Sequence, residues 1–279
     1  MRKSNIILSL LIILIFFGCN TEDDNVTPLD NVIPIENVLY VKSIKTANTD
    51  NSYLNQFYTY ENNLLTNMTA NSIYAATYSY NNDNNVITKQ NSNENHTYEY
   101  DSQGRLIKEL NIDTNNYYEL IYSSNNVFIN ESHNGNLTTV SELTINSNGK
   151  ITKVRLLNST TSNLYTVLEY LYDNSGNIIK LTYTEPINGG SDTIISYQYD
   201  QNKNPFYYAL KSFRNNTYYL ECKDGIPNYI NRGFTPNNIN MINYETYSNS
   251  REYNYEYNSD GYPISRNITT QDTYFLYEY

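Results

Sequence analysis

The chain has 279 residues, a formal net charge of −11, 2 Cys, 2 His, no Trp and 32 Tyr. The acidic balance disfavours a partner with a phosphate backbone, and so few cysteines exclude a disulfide framework. Asn is commoner even than Tyr, while Gly stands at only 10, so strand and turn formers dominate over helix formers.

In chain order, Met1-Arg2-Lys3 is a short basic start, and residues 6–17 are apolar apart from Ser9. A helix needs ~20 residues to cross a bilayer, so this run of about 12 reads as the core of an export signal. Ile15-Phe16-Phe17-Gly18-Cys19 follows and resembles a lipobox, although Phe17 is bulkier than the usual residue there. The resemblance implies cleavage before Cys19 and diacylation of its thiol, with residues 1–18 removed. Asn20-Thr21-Glu22-Asp23-Asp24 is an acidic cluster at the new terminus. Glu22, Asp23 and Asp24 are similar to the export signal of surface-exposed lipoproteins of Bacteroidota; a plain solvated linker facing the periplasm is the alternative. Val26 to Val38 has neither helical nor strand periodicity, and residues 19–39 read as the lipidated N-terminus and a flexible tether. Twenty flexible residues span ~25 Å root-mean-square.

Residues 40–279 carry an internal repeat. Its clearest copies begin Tyr98-Glu99-Tyr100-Asp101, Tyr170-Leu171-Tyr172-Asp173 and Tyr255-Glu256-Tyr257-Asn258, each closed by a glycine: Gly104, Gly176 and Gly261. Leu143-Thr144-Ile145-Asn146 with Gly149 keeps the pattern with aliphatics. Weaker copies start at Tyr58, Tyr78, Leu120, Tyr197 and Leu220, and the chain stops on Tyr277-Glu278-Tyr279. Tyr-x-Tyr puts two rings on one face of a strand. The following Asp or Asn bonds its own backbone and opens a turn, and the glycine supplies the positive φ that closes a bulged hairpin. One hairpin cannot bury a face in water. About ten must pair edge to edge into an all-β antiparallel meander of ~18 to 20 strands, curled or barrel-like. Pro205, Pro227 and Pro263 mark turns or strand starts, and 205–243 is the least regular stretch, expected to hold a long loop or small cap. Cys222 is expected to be a buried strand residue.

Tyr98 to Leu106 resembles the YD repeat of RHS proteins. Tyr197-Gln198-Tyr199-Asp200, the block from Tyr255 to Pro263 and the Tyr-Glu-Tyr end resemble uncharacterised Bacteroidota surface lipoproteins whose β domain is described as porin-like. The resemblance covers most of 40–279. It implies a scaffold and says nothing of an activity.

Chemistry-bearing motifs are sparse. Asp101, Asp173, Asp200, Asp224 and Asp260 fall where turn chemistry explains them, so a glycosidase pair is disfavoured, as are any catalytic residues. His96 and His133 lack metal-ligand spacing and sit in Asn-rich segments expected to be exposed; no metal or cofactor is expected. The functional lead is aromatic. Tyr98/Tyr100, Tyr170/Tyr172, Tyr197/Tyr199 and Tyr255/Tyr257 can line a sheet face that stacks on a glycan or meets an envelope protein, or else form the sheet's own packing layer. The expectation is a non-enzymatic, lipid-anchored outer-membrane protein; an accessory lipoprotein without a small ligand is the alternative, and a surface glycoside hydrolase the weaker one. Lys108/Leu110, Lys153/Arg155 and Gln198/Asp200 interrupt any apolar outer band, against a membrane-spanning barrel.

Overall fold

The computed structural model describes residues 38–47, 53–71, 74–159, 161, 163–186, 192–226, 233–269 and 273–279. Cys19, Glu22, Asp23, Asp24 and the tether up to residue 37 lie outside the described residues. Eighteen strands follow: β1 (Ser43–Ala47), β2 (Tyr53–Glu61), β3 (Leu64–Ala70), β4 (Tyr74–Tyr80), β5 (Val86–Asn91), β6 (Asn95–Tyr100), β7 (Leu106–Asn111), β8 (Asn116–Ser123) and β9 (Asn126–His133) form the first half. The second half is β10 (Asn136–Ile145), β11 (Ile151–Asn158), β12 (Leu164–Tyr172), β13 (Ile178–Thr184), β14 (Thr193–Lys203), β15 (Asn237–Tyr244), β16 (Asn249–Tyr257), β17 (Pro263–Ile268) and β18 (Thr273–Glu278). Every strand pairs antiparallel with its chain neighbours, and β1 pairs with both β2 and β18. The sheet therefore closes into an up-and-down barrel, the barrel-like meander that the repeat implies.

The turn chemistry is as the sequence predicts. Asp101 Oδ1 accepts the amides of Gln103 and Arg105, and Gly104 (φ +76°) donates to Asp101 O. Asn81, Asn146 and Asn258 repeat the arrangement. Asn84, at φ +63°, stands where the other copies have glycine, a left-handed conformation that Asn tolerates better than most residues. The return strand carries a bulge beside each such turn, for example at Ile107, the extra residue between Leu106 opposite Tyr100 and Lys108 opposite Glu99. These turns all fall on one rim, here the turn rim. β1 starts and β18 ends there too, so the first described residues and Tyr279 share that rim.

Inward positions hold the core: Val86, Leu106, Val127, Leu143, Ile151 and Val154 are each at most 1% exposed. Outward positions between them carry charges that pair across the ladder. Glu99 meets Lys108, Glu142 meets Arg155 and Lys153 meets Glu169, each pair set opposite by the register. A lipid-facing wall would need an apolar band about 25 Å tall at these positions.

Residues 204–226 and 233–236 depart from the sequence reading, with Pro227 outside the described residues. They are neither a loop nor a cap but a plug inside the lumen. Asn204 caps α1 (Pro205–Ala209) by accepting the Phe206 amide, with Pro205 at the first helical position, a combination that favours helix initiation. Pro205 thus starts a helix rather than a strand. α2 (Lys211–Glu221) follows, so Leu220 belongs to a helix and not to a hairpin copy. Cys222 is fully buried but stands at the end of α2, not in a strand. The plug meets the wall through aromatic edges: Phe206 on Tyr58, Phe213 on Tyr78 and Tyr219 on Tyr122, with centroids 5.9, 5.1 and 6.2 Å apart. Arg214 holds its two ends together by donating to Gly233 O and Phe206 O.

Candidate functional site

The predicted tyrosine pairs face inward, and their hydroxyls are engaged. Between seven of the return strands and the outgoing strands that follow them the ladder stops two residues short of the turn rim. On β7 and β8 the last pair is Lys108↔Glu119, so the Leu106 carbonyl has no strand partner on that side. The Tyr122 hydroxyl donates to it at 2.8 Å. The same bond recurs around the barrel at 2.6–3.0 Å: Tyr80 to Leu65, Tyr100 to Val86, Tyr172 to Ile151, Tyr199 to Ile178, Tyr255 to Ile239 and Tyr279 to Pro263. In each case the ladder ends two residues beyond the capped carbonyl. The aliphatic copy tests this logic. Ile145 has no hydroxyl, and there the backbone pairing runs on through Asn126↔Thr144 until the Ile145 amide itself donates to Asn125 O. A buried carbonyl must find a donor; tyrosine supplies it where the strands splay, and the main chain supplies it where they do not.

Of the remaining predicted rings, Tyr170 Oη accepts the Ile226 amide at 2.7 Å, Tyr197 is buried in the core and Tyr257 donates to Asp200. Tyr172 lines a small cavity of about 40 Å³ beside the plug, and Tyr98 opens on a much roomier one. The structure brings Tyr98 together with rings the sequence reading named only as weak repeat copies or not at all.

That cavity, about 740 Å³, lies between α2 and the wall formed by β2–β8 and β16–β18. Its aromatic lining includes Tyr58, Tyr78, Tyr98, Tyr118, Tyr253 and Phe275. Leu210, Phe213, Arg214, Thr217 and Glu221 of the plug face it, a spacing of three and four residues that puts them on one helix face. Tyr74, Tyr118, Arg251 and Ile268 line it from strand ends at the rim opposite the turns. The plug therefore fills the half of the lumen nearer the turn rim, and the cavity occupies the other half.

Charge in this space is uneven. Lys89, Arg214, Lys223, Arg251 and Arg266 contribute to the lining against Glu109 and Glu221. Glu109 lies 3.1 Å from His96 Nδ1, and Glu221 accepts the Thr217 hydroxyl at 2.6 Å. His96 is thus largely buried between Glu94 and Glu109, contrary to the exposed position expected for it, and its bond to Glu109 raises its pKa. Burial pushes the Tyr58, Tyr78 and Tyr98 hydroxyls well above the ordinary phenol value, with the Glu109 charge adding to the effect at Tyr98. These rings stay neutral donors at any physiological pH. Arg266 stacks its guanidinium 3.7 Å from the Phe275 centroid, and Lys223 sits 5.0 Å above Tyr118. Among the described residues no cluster of three His, Cys, Asp or Glu can hold a metal ion.

No family model and no curated protein matches the chain. Among solved structures, a porin-like protein from Bacteroides vulgatus aligns over 86% of this chain and 98% of its own, at 13% identity and a TM-score of 0.41. A porin-like protein from Bacteroides uniformis aligns over 85% and 96%, at 11% identity and a TM-score of 0.35. The Tc holotoxin pore of Photorhabdus luminescens aligns over 80% of this chain and 11% of the toxin chain, at 14% identity and a TM-score of 0.31. At these values no role transfers from any of them.

Proposed function

We propose that this is a non-enzymatic, lipid-anchored β-barrel of the outer membrane that binds a glycan inside its lumen. The observation that carries the reading is the tyrosine-lined cavity beside the plug. Rings and hydroxyls together suit a sugar, whose apolar face stacks on aromatics while its hydroxyls need polar partners. The outer face offers less, because most predicted pairs spend their rings on the core and their hydroxyls on the backbone.

The first described residues lie at the turn rim, so a tether from Cys19 would meet the barrel at its plugged end. A Cys19→Ala chain should move from the membrane to the soluble fraction on ultracentrifugation; retention in the membrane would revive a bilayer-embedded barrel. Purified protein should bind members of an oligosaccharide panel in calorimetry, and Tyr78→Ala or Tyr118→Ala should weaken that binding at least tenfold. Release of new reducing ends from any bound glycan would refute the non-enzymatic part, since Glu109 and Glu221 share the cavity.

A second reading, an accessory lipoprotein docked to an envelope complex, has one observation in its favour. Phe57, Tyr274 and Leu276 stand half exposed on the outer face beside the β18–β1–β2 closure.

A further inference from the structure

We infer that the luminal ligand is an acidic oligosaccharide, a short glycan carrying carboxylate or sulfate groups. This rests on the luminal glycan reading above and adds the charge of the ligand to it.

The sign of the charge reverses inside the barrel. The chain as a whole carries −11, yet five cationic side chains line the cavity against two carboxylates. Glu109 lies beside His96 and Glu221 accepts from Thr217, while Arg214 is itself held by Gly233 O and Phe206 O. With Lys223 offset by Asp224, five cations against three carboxylates still leave the balance positive. An acidic exterior around a cationic interior is a selective arrangement. Cleft walls of low dielectric focus the field of the charges inside, so the cavity draws anions even though the surface repels them.

The cations also come from separate parts of the chain: Lys89 from β5, Arg251 from β16, Arg266 from β17 and Arg214 from the plug. Barrel closure gathers them around one space. A single inorganic anion would leave most of about 740 Å³ empty, whereas a ligand of several sugar units reaches cations on opposite walls. Between those cations stand neutral tyrosine rings, which suit the uncharged faces of the same sugars. Arginine also recognises carboxylate and sulfate through paired donors.

The test uses the full mature chain in detergent and calorimetric titration. The probes are short uronic-acid, sialylated and sulfated oligosaccharides, each beside a neutral counterpart of the same skeleton, such as the methyl ester. At least one acidic member should bind tenfold or more tightly than its neutral form, and the difference should shrink between 50 and 500 mM NaCl. Lys89→Gln and Arg251→Gln should each weaken the acidic ligand about tenfold and leave the neutral form unchanged, with Arg251→Lys retaining part of the affinity. Thermal melts of the variants confirm that the barrel is intact. Equal affinity for an acidic glycan and its neutral form overturns this inference and leaves the luminal glycan reading standing. Displacement of the glycan by inorganic phosphate at equal concentration also overturns it, by making the site a simple anion site. Absence of binding by every member, acidic or neutral, overturns the glycan reading itself.

Discussion

A chain with Tyr80, Tyr100, Tyr122, Tyr172, Tyr199, Tyr255 and Tyr279 all replaced by phenylalanine should fail to hold its native fold at 25 °C. Each substitution keeps the ring and removes one donor to a main-chain carbonyl. A net hydrogen bond is worth about 1 kcal/mol, and a carbonyl left without a donor costs about 1–3 kcal/mol. Neighbouring caps sit two strands apart, roughly 10 Å at ~4.8 Å per strand, so their effects should nearly add. Seven of them sum to about 7 kcal/mol or more, as large as the whole stability of many domains, about 5–15 kcal/mol. A single Tyr122→Phe change should cost only about 1 kcal/mol, seen as a lower urea midpoint at constant slope. Tyr247→Phe is the control: that ring is 68% exposed, and its change should stay within about 0.5 kcal/mol. A seven-fold variant with an unchanged midpoint would show that the bonds have no energetic role.

Gly233→Ala should dislodge the plug. Gly233 has φ +62°, and a Cβ there would come 2.3 Å from both Phe206 C and Tyr207 N, which are backbone atoms that no rotamer change can move aside. The strained backbone alone costs about 1–3 kcal/mol, and relieving the clash means shifting α1 away from Tyr58 and breaking the Arg214 bond to Gly233 O. A total loss of about 4 kcal/mol or more is expected, at the upper end of single substitutions. Cys222 provides the readout, because it is fully buried in the plug. In a Cys19→Ala background, maleimide should label Cys222 in the Gly233→Ala chain far faster than in the parent. Gly135→Ala separates strain from clash. Its φ of +77° is comparable, but nothing lies within 4 Å of the added methyl, so labelling there should stay at the parent rate. Parent-like labelling of Gly233→Ala would mean that the plug absorbs the methyl without moving.

The wall was readable because its rules are local. Asp101 to Gly104 specifies a turn by its own side chain and its own φ, and Tyr98 and Tyr100 share a face by strand geometry alone. Which way that face points was not local. It follows from closure of the sheet, and with it the tyrosines exchange a surface role for a packing one. The hydroxyl caps were hidden for a similar reason, since Tyr122 and the carbonyl it caps belong to different hairpins. The plug did leave marks. Asn204-Pro205 is a helix start, and Leu210, Phe213, Arg214 and Thr217 fall on one helical face. Those marks were outweighed by Leu220, whose spacing imitates one more repeat, and by a segment rich in Tyr and Asn, which are indifferent helix formers. The cavity's cations had no legible motif at all, because their strands meet only across a closed barrel.

Closure also sets an order on how such a chain acquires its structure. Every strand pairing but one joins consecutive strands, and each such step closes a loop of a few to a few tens of residues. The exception brings Ser43 against Glu278. In a flexible chain its closure would cost, as (3/2)RT ln n, about 5 kcal/mol for a loop of some 235 residues, a cost that falls if the hairpins between have already zipped. Contact order is therefore low over most of the molecule and concentrated in one late event. Until that event β1 and β18 are free sheet edges, the state in which such a chain is most open to pairing with another copy of itself.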